Sequence, residues 1–306
     1  MKRELKMDRL TAMEAFVAVA EAGSFTRAAL RLNISTPMVT LHVRRLEEHL
    51  GVRLFNRSTR RVDLTVEGGH YLTYAHAALD AVATADMAVR PGAGIAGRVR
   101  LDAPASMGQA FIMPALAEFQ RLHPRLILDL TLGDRGTLFR VDGFDLVIRA
   151  GEVPPTGWKT VKLGTTRLVC LASPDYIAEH GQPAKADDLA HHRTILYASV
   201  ETPGGNPLQL RQGDRTIRVR SPTAFTFNDG AAILSATLAG LGIGQTLEML
   251  ARDHIHAGRL IPLLPEANWP RLPVVLMGAP DRIALPHVQA ALAFLTNRID
   301  WNIDPD

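Results

Sequence analysis

The side chains best suited to chemistry are few, and their spacing argues against catalysis. His191-His192 and His254-Ile255-His256 bring imidazoles together, yet no carboxylate or thiolate stands at ligand spacing, so no metal site is expected. The single cysteine, Cys170, lies in the apolar run Leu168-Val169-Cys170-Leu171 and reads as a buried, unreactive thiol, which leaves no disulfide framework. Pro91-Gly92-Ala93-Gly94-Ile95-Ala96-Gly97 spells a Gly-x-Gly-x-x-Gly, but a dinucleotide fingerprint follows a strand and opens a helix, and here that order is reversed. Gly151 with Gly157-Trp158-Lys159 lacks P-loop spacing, and neither a Gly-x-Ser-x-Gly elbow nor a zinc-protease helix occurs. No catalytic residue, metal or cofactor is expected.

What the chain does carry is a local surplus of positive charge. Its formal net charge is +3, but residues 1–66 hold 12 Lys and Arg against 7 Asp and Glu, while the remaining residues hold 22 against 24. A compact basic segment on a near-neutral body points to a polyanion at one end and a different task at the other. Arg53, Arg57, Arg60 and Arg61 fall within nine residues, in a stretch (52–65) that alternates apolar residues at both ends and reads as a two-stranded wing. Four arginines so placed suit phosphate contacts or minor-groove insertion.

The elements before the wing must position it. Leu10, Met13, Phe16, Val17 and Ala20 share one helical face over 8–22, and Gly23 ends the pattern. Ser24 caps a short second helix, 25–32, whose Ala28 and Ala29 allow close approach. After the turn Asn33-Ile34, Ser35 caps a third helix that carries Pro37 in its first turn and buries Val39, Val43, Leu46 and Leu50, until Gly51 stops it. The pair forms a helix-turn-helix. Its outer ridge, Thr36, Thr40 and Arg44 with Pro37, Leu41 and Arg45 beside them, has the size and polarity to enter a major groove.

Residues 7–72 resemble the DNA-binding region of LysR-type transcriptional regulators. The likeness is carried by Met7-Asp8-Arg9-Leu10, Phe16, Gly23-Ser24-Phe25, Ala28-Ala29, Leu32, Ser35 to Thr40, Leu46-Glu47, Leu50-Gly51, Arg53-Leu54-Phe55, Arg57 and Leu64-Thr65. One departure is Leu41, where members of the family often carry arginine.

From Val66 to Arg90 no proline intervenes, and Leu72, Ala75, Leu79, Val82, Asp86 and Val89 recur at steps of 3 and 4. Such a helix runs roughly 37 Å, and its seam is expected to pair with a second copy, which predicts an interrupted palindromic operator. Residues 91–97 form a hinge. Beyond it strands and helices alternate: strands at 98–103, 126–132, 144–149, 166–171, 194–198, 216–220, 224–228 and 273–277, helices at 107–122, near 137, at 229–239 and at 286–299. That order predicts an α/β domain with a largely parallel sheet. Pro104 with Ser106 and Gly108, Pro114, Phe119, Pro124, Gly143-Phe144-Asp145, Ser173-Pro174-Asp175-Tyr176 and Gly240-Leu241-Gly242-Ile243-Gly244 extend the resemblance, which implies the family's two-lobed, periplasmic-binding-protein-like sensor fold.

The expected fold class is thus α/β with an α-rich N-terminal winged helix-turn-helix, a long linker helix and a two-lobed sensor. The expected domains are 1–65 (DNA-binding), 66–90 (linker and dimerisation) and 98–306 (effector-binding), with lobe one at about 98–165 and 272–306 and lobe two at about 166–271. Ligands in such folds sit between lobes, at strand ends and helix starts. Ser106, Asp134, Arg135 and Thr137 on one side and Tyr197, Ser199 and Asn228 on the other are the expected effector contacts, with an anionic group held at the Ser106 helix start. The expected function is a cytoplasmic, sequence-specific DNA-binding regulator modulated by a small molecule. Its expected partners are double-stranded DNA, the effector, a second or fourth copy of itself and RNA polymerase, with no membrane partner. The alternative is a small-molecule receptor or enzyme whose basic N-terminal domain serves assembly.

Overall fold

A computed structural model describes residues 8–57, 62–88, 94–133, 143–151, 153, 157–198, 202, 204–212, 215–219, 221–264 and 271–301. The chain divides into two compact units, the first running to Arg98 and the second taking most of the chain from Val99 onward.

In the first unit each helix is bounded by a side chain that satisfies free backbone amides. α1 (Arg9–Ala22) starts where Asp8 accepts from the Leu10 amide and stops at Gly23, whose φ is +60°. α2 (Phe25–Leu32) is capped by Ser24 and ends on Asn33 at φ +53°, a left-handed conformation that asparagine tolerates better than other side chains. α3 (Thr36–Leu50) is capped by Ser35, carries Pro37 in its first turn and ends at Gly51. β1 (Phe55–Arg57) and β2 (Val62–Leu64) pair antiparallel, and α4 (Val66–Ala88) comes next. The core centres on Phe16, whose ring lies 5.2 Å from Phe55 and 5.3 Å from Tyr71, with Val39, Val43 and Leu46 beneath.

α4 packs part of the expected seam onto its own unit. Ala75 is fully buried in the core there, and Leu72 and Leu79 pack partly against the same cluster, which α1 shares. Of the remaining seam residues, Val82 and Asp86 are exposed and Val89 lies outside the described residues. Off the seam, α4 also leaves Val66 and Tyr74 open, the latter 71% exposed.

The second unit starts with β3 (Gly97–Ala103). α5 (Ala105–Met107), a π-helical turn (Gly108–Ile112) and α6 (Met113–Leu122) then form one unbroken helical run, two residues longer at its start than the sequence pattern indicates. Next come β4 (Leu126–Leu132), β5 (Leu146–Ala150), β6 (Lys159–Ala172), α7 (Pro174–His180), a 3-10 turn (Ala186–His191) and β7 (Thr194–Tyr197). The hairpin β8 (Leu208–Gln212) and β9 (Arg215–Val219) precedes β10 (Thr223–Phe227), α8 (Gly230–Leu238), β11 (Ile243–Leu247) and α9 (Glu248–His256). β12 (Ile261–Pro262), β13 (Arg271–Gly278), α10 (Pro280–Ile283) and α11 (Pro286–Asn297) complete it. The helix expected near 137 lies outside the described residues.

The main sheet runs β10-β7-β11-β6-β13-β5-β3-β4. It is mixed rather than largely parallel: β3/β5, β10/β7 and β11/β7 are parallel, but β6 and β13 run against their neighbours. The reason is the chain's return: β13 comes back from the second half of the unit and lies antiparallel between β5 and β6. Two buried clusters flank the long β6, one built on Leu101, Leu146, Leu276 and Phe294, the other on Leu171, Tyr176, Ile243 and Leu263.

A tyrosine-histidine cluster closes the second of these. Tyr176 stacks on His180 with ring centroids 4.4 Å apart, and its hydroxyl accepts from the Arg193 amide at 3.0 Å. The same hydroxyl lies 3.3 Å from Nδ1 of buried His192. Burial, aided by His180, pushes His192 below its ordinary value of 6.5, and burial does the same for His254. Because the folded values are depressed, the unfolded chain takes up protons first as pH falls through 6.5. Stability is therefore full above that pH and declines below it. The thermal midpoint should fall between about pH 7 and about pH 5, before carboxylates titrate, and His192→Gln should flatten the slope. A midpoint that is level or rising across that interval would contradict this account.

Candidate DNA interface and effector cleft

The outer ridge of α3 stands free of the core. Pro37, Leu41 and Arg44 are exposed, Thr36, Thr40 and Arg45 half-buried, and Ser35 accepts from the Met38 amide at 3.4 Å while remaining exposed itself. The Thr40 hydroxyl donates to the Thr36 carbonyl at 2.9 Å, which fixes its rotamer and turns its methyl with it. Arg44 is held by Glu48 one turn on, at 2.7 Å, a fully solvated pair that a phosphate can displace. Arg53 projects from the wing base with 74% of its side chain exposed. Arg57 closes β1, while Arg60 and Arg61 lie outside the described residues.

The wing is positioned by a residue that sequence reasoning passed over. Glu47 points inward from α3, and its buried Oε1 accepts from the amides of Leu54 and Phe55 at 2.9 and 3.3 Å. Its Oε2 lies 3.5 Å from Arg53, so one carboxylate holds both the start of β1 and a basic side chain. On the far side, the Thr65 hydroxyl donates to the Arg53 carbonyl at 2.8 Å and accepts from the Gly68 amide at 2.9 Å. A Cβ on Gly68 would run into the Leu54 carbonyl, so the first turn of α4 can approach the wing only with glycine there.

In the second unit the structure brings Ser106 and the start of α8 together. Ser106 lies in the first turn of the helical run 105–122 and is 6% exposed. A Cβ built on Gly230 would sit 3.1 Å from the Ser106 hydroxyl oxygen, so glycine at the head of α8 lets the two helix starts come close together. Nothing in the sequence marks this glycine, which merely follows the capping pair Asn228-Asp229. Asp229 caps α8 by accepting from the Ala232 amide at 2.8 Å, and Asn228 is exposed. Tyr197 ends β7, where its carbonyl accepts from the Asn206 amide at 2.7 Å. Asp134, Arg135, Thr137 and Ser199 lie outside the described residues.

Behind the Ser106 helix, polar contacts fasten the strands. Asp145 accepts from the Arg100 amide at 2.8 Å and from Arg282 Nε at 2.7 Å, and buried Asp102 pairs with Arg149. Cys170 is buried as expected, and burial pushes its thiol well above the ordinary range. Among the described residues no helix is long and apolar enough to cross a membrane. The geometry yields a direct test of the wing anchor. Glu47→Ala strands two buried amides and should cost about 1–3 kcal/mol in urea unfolding together with a loss of duplex affinity, whereas Glu47→Gln keeps one acceptor and should cost less. Equal behaviour of the two variants would remove the carboxylate from this role.

Comparison with known proteins agrees with this architecture at both ends. Residues 10–69 match the bacterial regulatory helix-turn-helix protein, lysR family, and residues 92–300 match the LysR substrate binding domain. The uncharacterized HTH-type transcriptional regulator YhjC of Escherichia coli is 37% identical over 264 residues, 85% of this chain and 87% of that protein. The HTH-type transcriptional regulator CrgA of Neisseria meningitidis serogroup C is 34% identical over 82% of this chain and 83% of its own length. The solved structure of CrgA, a LysR-type transcriptional regulator from Neisseria meningitidis, superposes with a TM-score of 0.60 at 30% identity and covers 96% of this chain and 99% of that one. The full-length Vibrio cholerae virulence activator AphB shares the fold at 23% identity, with a TM-score of 0.61 over 95% of this chain and 98% of its own. A helix-turn-helix with an open reading ridge, joined in one chain to a mixed-sheet effector domain, thus belongs to the LysR family of DNA-binding transcriptional regulators.

Proposed function

We propose that the α3 ridge reads an interrupted palindromic operator in the major groove, while the wing arginines hold the flanking phosphates. The observation that carries this reading is the ridge itself: Thr36, Pro37, Thr40, Leu41, Arg44 and Arg45 project from a helix whose other face is fully packed. In this division 1–65 binds DNA, 66–90 links and pairs two copies, 91–97 is the hinge and 98–306 binds the effector. Pairing through α4 is supported by the apolar side chains it leaves open, Val82 on the expected seam and Val66 and Tyr74 beside it. RNA polymerase is the partner through which such a regulator acts on transcription.

The experiment separates reading from clamping. Thr40→Ala should reduce binding to a duplex enriched from a random pool more than binding to unselected duplexes, by about 1–3 kcal/mol if one base contact is lost. Arg53→Ala should weaken both alike and flatten the salt slope by about one unit. Equal losses for Thr40→Ala on both duplexes would remove it from base reading.

The effector is a small molecule whose anionic group docks on the free amides at the head of the 105–122 helix, with Ser106 as its directional contact. The nearly buried Ser106, close against the glycine that heads α8, supports this reading. A thermal-shift screen of small carboxylates on the full chain, followed by calorimetry, is the test. Ser106→Ala should cost roughly 1.5–3 kcal/mol of binding, a tenfold to hundredfold loss, with little change in the melting of the free protein. A variant that melts lower yet binds as tightly would make Ser106 a helix cap.

A further inference from the structure

The first unit contains a second carboxylate that joins helices, separate from the wing anchor. Glu21 sits in the last turn of α1. One of its oxygens, Oε2, pairs with Arg31 at the end of α2, and the other, Oε1, lies 3.5 Å from Nε2 of His76 on α4. The three side chains differ sharply in exposure: 60% for Arg31, 31% for Glu21 and 6% for His76. The carboxylate therefore spans from solvent to the interior and ties the helix-turn-helix to the long helix. Asp80, one turn beyond His76, is also buried, so this face of α4 is polar where the flanking Ala75 and Leu79 are apolar.

α2 meets the core through apolar contacts: Ala28 and Ala29 are buried, Phe25 and Leu32 pack partly against the cluster, and the Phe25 ring lies 5.8 Å from that of Phe55, while Leu30 is 78% exposed. The carboxylate at the end of α1 adds a constraint of another kind, because a charge-assisted contact is directional where an apolar contact is not.

We infer that Glu21 is a positioning residue for DNA recognition: through Arg31 and His76 it fixes the angle between the helix-turn-helix and α4, and so the separation at which two recognition helices meet two half-sites. The inference rests on pairing through α4. If α4 is the shared axis of two copies, any rotation of α3 about it moves both reading ridges in opposite senses, and the preferred operator spacing is the sensitive readout. One base pair of spacer changes the second half-site by about 35° and about 3.4 Å, more than a rigid dimer absorbs.

The test uses the full chain and a duplex enriched from a random pool by the wild-type protein, together with versions whose spacer is one base pair shorter or longer. Wild type should prefer the enriched spacing by about tenfold, a loss comparable to one mismatched pair. Glu21→Ala and Arg31→Ala should lower that preference to within about twofold while sedimentation still shows a dimer. Arg31→Ala alters an exposed side chain, so it keeps the test open should Glu21→Ala fold poorly. Uniform weakening on all three duplexes with the preference intact would overturn the role of Glu21 and leave pairing through α4 standing. A wild-type protein that is monomeric at the concentrations that bind DNA would instead overturn the pairing itself, and the inference with it.

Discussion

The second unit depends on one constraint: β6 belongs to both of its hydrophobic clusters. Its first half pairs with β13 from Lys159 to Arg167, and its second half pairs with β11 and β12 from Leu168 to Ala172. Its ladder with β13 is interrupted once, where Val274 and Val275 pair with Gly164 and Lys162 and leave Leu163 over, so the two clusters are joined by one continuous strand with a single irregularity rather than by a loose linker. The junction is reinforced where the partners change. Arg167 makes two contacts to Glu248 at 2.7 and 2.8 Å, and the Thr166 hydroxyl accepts from the Met249 amide at 3.3 Å. Near Ser106 the fit is set by a small residue, since a Cβ on Gly230 would crowd the serine hydroxyl.

Charged residues do the fastening wherever packing alone is insufficient. Glu47 replaces the missing ladder partners of the wing, and Asp145 ties β5 to α10 through Arg282. Glu47 puts both oxygens on the segment from Arg53 to Phe55, whereas Asp145 divides its two between Arg100 and Arg282, geometries that apolar contacts cannot imitate. Such pairs are poor sources of net stability but strict about register, and removing one partner leaves a buried charge behind. That strictness matters for the proposed reading, in which one helix face and one helix start must be held in fixed places.

Much of this was legible in the sequence, and the limits have physical causes. The caps Asp8, Ser24 and Ser35 and the stops Gly23, Asn33 and Gly51 declare the first three helices because local hydrogen bonding decides where a helix begins and ends. Ser106 was legible for the same reason, as a hydroxyl between a strand and a helix. The face of α4 was not: with alanine on several sides, period alone cannot tell a partner from the parent domain, and buried His76 and Asp80 look like solvent-facing residues until their neighbours are known. Sheet direction was equally hidden, since the return of β13 beside β6 is a pairing between residues about a hundred positions apart. Glu47 and Gly230 carry no local signal at all. The first is one more charged residue in a helix and the second one more glycine after a cap; their meaning lies in Leu54 and Ser106, which only the fold brings near.

The hydrogen bond from Thr40 to the Thr36 carbonyl restricts what that position can say to a base. A carbonyl only accepts, so the single hydroxyl proton is spent within the helix and the side chain turns outward as a lone pair and a methyl group. Toward a major-groove edge it can take a proton from the exocyclic amine of adenine or cytosine, or lay its methyl against that of thymine, but it has nothing to offer the two acceptors of guanine. On the proposed reading, guanine falls to the arginines one turn further along, Arg44 and Arg45, whose guanidinium groups can only donate. If α3 reads the operator as proposed, its vocabulary runs in sequence order, acceptor and methyl first and donors after, and a half-site that fits it has its amine-bearing bases or thymines toward the start of α3 and its guanines toward the end.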